Sequence, residues 1–109
     1  MKASIILFLI IIIPLSGCTN QTIIEDRAVA VCVEACNNYK ENLSNGPCLL
    51  NPMQAEENFP NLSKWVCDVA HSPRQNVDNQ IENQCSAFRE GIADHFVEVD
   101  TNCKFIQAY

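Results

Sequence analysis

Thr22-Ile23-Ile24-Glu25-Asp26-Arg27-Ala28-Val29-Ala30-Val31-Cys32-Val33-Glu34-Ala35-Cys36 is the longest stretch of the chain with one clear period. Ile24, Ala28, Val31, Cys32, Ala35, Tyr39 and Leu43 recur at three- and four-residue steps, which predicts an amphipathic helix running to about Leu43. Thr22 and Glu25 have the spacing of a capping box, with acidic Glu25 and Asp26 at the positive helix end. Asn45-Gly46-Pro47 supplies a stop: glycine for a left-handed cap, proline to block continuation. Cys32 and Cys36 fall on one face of this helix. Helix geometry holds their β-carbons about 6 Å apart, too far for a mutual disulfide. Each is expected to staple the helix to a later segment.

Upstream, an apolar run from Ile5 to Ile13 follows Met1 and Lys2 and closes in Leu15-Ser16-Gly17-Cys18. These residues resemble the lipobox of bacterial and archaeal lipoproteins. The resemblance implies removal of residues 1–17 as a signal peptide and lipidation of Cys18, for example by palmitate. It also implies a location outside the cytoplasm, held at the membrane by a lipid anchor. Thr19, Asn20 and Gln21 then form a short linker, residues 18–21 with the anchored cysteine, and residues 22–109 the single domain. At ~3.3 Å per residue, that linker sets the domain about 10 Å from its anchor.

The cysteine count agrees with this address. Of the seven, setting Cys18 aside leaves Cys32, Cys36, Cys48, Cys67, Cys85 and Cys103. An even set in an oxidising compartment predicts three disulfides, in any of about fifteen connectivities. The 92 residues that remain after position 17 build only a modest core, so staples are expected. All thirteen acids but only six of the seven bases follow Cys18, leaving a net charge of about −7. Without a cluster of Lys and Arg, nucleic acid is excluded as a partner class. Anionic headgroups would also repel such a surface, so the lipid must anchor the domain without help from it.

Downstream, residues 44–63 read as loop, punctuated by Pro47, Pro52 and Pro60. Met53 to Asn58 has room for one helical turn, and Cys48 pins the loop to the core. Trp65-Val66-Cys67-Asp68-Val69-Ala70-His71 predicts a strand with Trp65, Cys67 and Val69 on one face, ended by Ser72-Pro73. Arg74 to Gln84 has no period and reads as loop. Ala87 to Gly91 suits a turn or a strand. His95-Phe96-Val97-Glu98-Val99-Asp100 alternates as a strand, with Phe96 and Glu98 opposite Val97 and Val99. Asp100-Thr101-Asn102 is a turn signal, and Cys103 to Tyr109 returns as a hairpin strand. The predicted class is α+β: an N-terminal helix packed on a small antiparallel sheet, stapled by disulfides.

Trp65 to His71, Pro73-Arg74-Gln75, Val77-Asp78-Asn79, Glu82-Asn83-Gln84-Cys85 and His95 to Asp100 are similar to a group of small, cysteine-rich, secreted archaeal proteins of unknown function. That resemblance spans most of residues 65–100. It implies an envelope location and carries no activity or site residues.

The residues bear on three chemistries. Cys67, His71 and the neighbouring Asp68, with His95 or other thiols, have the donor types of a zinc site, but no Cys-x2-Cys knuckle accompanies them. His71 or His95 could act as a general base oriented by Asp68, Asp94 or Glu98, with Ser72 or Ser86 as nucleophile in a small envelope hydrolase. Neither serine lies in a nucleophile-turn motif. Cys32-x3-Cys36 has neither the spacing nor the helix-start position of a redox pair. The expectation is therefore a binding or structural module rather than an enzyme, without a catalytic residue, cofactor or metal assigned. His71, Arg74 and His95 are its candidate binding residues, and an envelope protein is a candidate partner. Arg74 is one of few cations in an acidic domain. It can meet a carboxylate on a partner, or a local one on Asp68 or Asp78. Asn20, Asn42 and Asn61 each open an Asn-x-Ser/Thr tripeptide.

Overall fold

The computed structural model describes residues 18–109. The expected signal segment, residues 1–17, lies outside the described residues. A long helix, α1 (Cys18–Asn37), packs on one face of a four-stranded sheet. The strands are β1 (Cys48–Leu50), β2 (Trp65–Val69), β3 (His95–Val99) and β4 (Phe105–Ala108), in the order β1-β2-β3-β4. The fold class is α+β, with three disulfides.

α1 differs from the sequence expectation at both ends. Residues 18–21 are helical rather than an extended linker, so Thr22 and Glu25 sit inside α1. A helical rise of ~1.5 Å per residue brings the domain nearer to Cys18 than an extended chain would. At the other end α1 stops at Asn37, well before Leu43. Asn37 and Asn38 compete with the backbone for hydrogen bonds and favour helix ends. The amide of Tyr39 turns back to the Cys36 carbonyl at 3.1 Å. The expected glycine cap does form, but on the short 3-10 turn Leu43–Asn45: Gly46 has φ 63° and donates to the Leu43 carbonyl.

The helix buries Ala28, Cys32 and Cys36 at four-residue steps. They meet Trp65, Cys67 and Val69 of β2 and Val97 and Val99 of β3, all on one sheet face by strand alternation. The Cys32–Cys67 bridge ties the helix to β2, and Cys36–Cys103 ties its end to the β3–β4 turn. Cys32 and Cys36 are thus bonded to later segments and not to each other. Arg27 adds a two-pronged ion pair to Glu56, both bonds at 2.6 Å, but its exposure limits what it contributes.

The sheet is mixed rather than antiparallel. β1–β2 and β3–β4 are antiparallel, but the central β2–β3 pair is parallel, in register from Trp65↔His95 to Val69↔Val99. A parallel neighbour needs a long crossover, and residues 70–94 provide it. That crossover holds two 3-10 turns, Asn76–Asn79 and Ile81–Asn83, and a one-turn helix, α2 (Ser86–Arg89). It lies over the sheet face opposite α1 and builds a second, smaller core there from Val66, Cys85, Ala87 and Ala93, with Phe88 and Phe96 packed on it. The third bridge, Cys48–Cys85, staples β1 to this layer. Residues 53–58 form no helical turn; Glu56 and Phe59 pair as a β-bridge instead. Among the described residues no helix is long and apolar enough to cross a membrane.

Candidate functional site

The crossover covers its sheet face incompletely. Between it and the strands lies a solvent-open cleft of about 240 Å³. Its floor follows from register. Asp68 of β2 is opposite Glu98 of β3, and Glu98 is opposite Gln107 of β4. Three polar side chains therefore form one row across neighbouring strands. Two residues back along the strands lies an apolar row: Val66 opposite Phe96, with Phe96 stacked on Tyr109 at 5.6 Å. Phe88 of α2 meets Phe96 edge-on at 5.1 Å. Arg74, Gln84 and Arg89 complete the lining from the crossover.

The two carboxyl groups of the row have opposite circumstances. Glu98 is buried and satisfied: Arg74 Nη1 donates to Oε2 at 3.0 Å, and Gln107 Nε2 donates to Oε1 at 3.1 Å. Asp68 Oδ1 is buried and has no hydrogen-bond partner among the described residues. Burial, reinforced by the negative Glu98 alongside, pushes the Asp68 carboxyl up to about 8, against the pull of Arg74 and the Val69 amide. At neutral pH this acid is mostly protonated.

Of the three candidate binding residues, only Arg74 reaches the cleft. Its partner is local, as one expectation had it, but the carboxylate is that of Glu98 rather than Asp68 or Asp78. Its Nε also donates to Asn79 Oδ1 at 2.8 Å and its Nη2 to the Asp78 carbonyl at 3.3 Å. His71 is held by Asp78, with Nδ1 at 2.9 Å from Oδ1. His95 stacks on Trp65 at 4.5 Å and its Nδ1 lies 3.0 Å from the Tyr109 carbonyl. Beside that stack, a second hollow of about 320 Å³ is lined by Gln21, Lys64 and Asp94 among others. Asp68, Asp94 and Glu98 do not orient either histidine through any of these bonds. Ser86 Oγ accepts from Asn51 Nδ2 at 2.8 Å, a bond that fixes α2 to the loop after β1. Among the described residues, neither Ser72 nor Ser86 is hydrogen-bonded to a histidine.

All six thiols that a cysteine-ligated metal would need are spent in disulfides. No group of three His, Cys, Asp or Glu side chains suited to a metal ion occurs among the described residues. Asn42 and Asn61 are exposed; Asn42 Oδ1 accepts the Ser44 amide.

From the sequence, Asp68 stands out as a zinc-site donor, a histidine partner or an Arg74 partner, and Glu98 as a histidine partner. That reading missed the row they form with Gln107, and Gln84 and Arg89 altogether. A signal was present: Val66-x-Asp68 and Phe96-x-Glu98 place an acid at the same step in two otherwise apolar strands. Compared with protein-family models, curated proteins and solved structures, the chain matches none.

Proposed function

We propose that this protein is an extracytoplasmic binding module, lipid-anchored through Cys18, and that the cleft over Asp68, Glu98 and Gln107 is its ligand site. The observation that carries the reading is Asp68, which lines the cleft and whose buried Oδ1 has no hydrogen-bond partner among the described residues. Leaving a buried polar atom unpaired costs about 1–3 kcal/mol, a cost that a fold has no reason to bear unless something else uses the atom. Convergent polar groups beside an apolar wall are the usual composition of a small-ligand pocket. The three disulfides favour an oxidising compartment, and the lipobox resemblance supplies the anchor.

A fragment screen on the intact protein, read by backbone amide shifts, tests the site. Hits that gather on Asp68, Phe88, Phe96 and Gln107 support it, and hits scattered over the surface contradict it. Intact mass of membrane-extracted protein tests the anchor. A lipid mass at an N-terminal Cys18 is expected, and an unmodified N-terminus would overturn it.

A further inference from the structure

On the reading of the cleft as the ligand site, we propose that its ligand is a neutral, polyhydroxylated ring: one pyranose unit of a saccharide.

The cleft offers both hydrogen-bond donors and acceptors. Arg74 carries five N–H donors and spends three on Asn79, Glu98 and Asp78. Arg89 contributes a second guanidinium, bound among the described residues through one long 3.5 Å contact of Nη1 to the Ile81 carbonyl. Against these donors stands Asp68 Oδ1, an acceptor as a carboxylate and a donor or acceptor as an acid. Donors and acceptors of both kinds thus belong to residues that line one small space. A cationic ligand would satisfy Asp68 but meet two guanidinium groups. An anionic ligand would satisfy the arginines but meet the buried charge of Glu98. Hydroxyl groups both donate and accept, and they carry no charge to repel either side.

The apolar row gives the other half of the match. Val66, Phe88 and Phe96 stand beside the polar row. A sugar ring has the same division: hydroxyls around its edge and a face of C–H groups. About 240 Å³ is below the ~300–1,000 Å³ of pockets for drug-sized ligands, which suits a single ring better than several. The open side leaves the rest of a glycan free to extend into solvent.

The test uses the intact, disulfide-bonded protein in phospholipid nanodiscs, which avoids sugar-based detergents. Methyl pyranosides of glucose, galactose, mannose and N-acetylglucosamine are titrated into the millimolar range while amide shifts are recorded. At least one is expected to move the amides of Asp68, Phe96 and Gln107 saturably, and to receive magnetisation at its C–H protons from the Phe88 and Phe96 rings. Arg89→Ala, a change at an exposed position whose guanidinium makes one long contact among the described residues, is expected to weaken that binding roughly tenfold with the rest of the amide spectrum intact. Acetate, butylammonium and inorganic phosphate are titrated in parallel. If one of these saturates the same amides and no pyranoside does, the saccharide proposal is overturned while the cleft remains a ligand site. If no compound moves them, the saccharide proposal and the cleft reading both fall.

Discussion

The carboxylate of Asp78 grips His71 twice: Oδ2 accepts its backbone N–H at 3.0 Å, and Oδ1 lies 2.9 Å from its Nδ1. The same Oδ2 takes the Gln75 amide at 2.8 Å. Asp78 therefore closes the bend after β2, where the crossover begins.

Burial alone would raise the Asp78 carboxyl, but the Gln75 and His71 donors outweigh it and hold the group below its ordinary value. A carboxylate that is easier to ionise when folded stabilises the fold above its unfolded value, near 4. That contribution is lost as pH falls through the lower folded value. Asp78→Asn should lower stability by about 2–3 kcal/mol at neutral pH and flatten this acid-side loss. Urea midpoints at neutral and acid pH measure both effects.

Gly46 lies against the same carboxylate. With φ at 63°, a β-carbon there would collide with Asp78 Oδ1 and crowd the Val69 carbonyl. Gly46→Ala should cost roughly 2 kcal/mol or more, from left-handed backbone strain plus displacement of Asp78. In a double-mutant cycle with Asp78→Asn the losses should be less than additive, because both disturb one contact.

The staples make their own prediction. Peptide mapping under non-reducing conditions should recover Cys32–Cys67, Cys36–Cys103 and Cys48–Cys85, with six thiols appearing only on reduction. Each closes a long loop, so removing the Cys36–Cys103 pair by double serine substitution should cost on the order of 4 kcal/mol. A fold of this size should not survive loss of all three, so reduction should collapse amide dispersion.

What the sequence made legible follows the range of the interactions. The helix face at Ala28 and Cys32, the alternation of Trp65 to Val69 and of Phe96 to Val99, and the hairpin after Asp100 all rest on periods or turns within a few residues. β1 was hidden because Cys48–Leu50 is short and stands between Pro47 and Pro52, where local signals read as loop. The parallel pairing of β2 and β3 was hidden because it is decided by where the crossover 70–94 returns the chain, which no local pattern encodes. The cleft was hidden for the same reason. Asp68, Arg74, Glu98 and Gln107 meet only once the strand register is set; the shared step of Val66-x-Asp68 and Phe96-x-Glu98 marks two acids in apolar strands but not their meeting with Arg74 and Gln107. The cysteines were the exception among distant contacts: their number implied three bridges, though not which pairs form.

Asp68 is the residue on which the functional account turns. Its folded value, about 8, lies above that of the unfolded chain, near 4. The folded state thus holds a proton that the unfolded state has lost, and stability falls as pH rises across that window. The decisive measurement is the urea midpoint of the wild-type protein and of Asp68→Asn, taken at about pH 5 and about pH 9. If Asp68 is kept for a ligand rather than for the fold, the two proteins should lie close at the lower pH. At the higher pH Asp68→Asn should be the more stable, by on the order of a few kcal/mol. A substitution that lowers stability at both values would mean that the carboxyl serves the fold, contradicting the ligand role assigned to it.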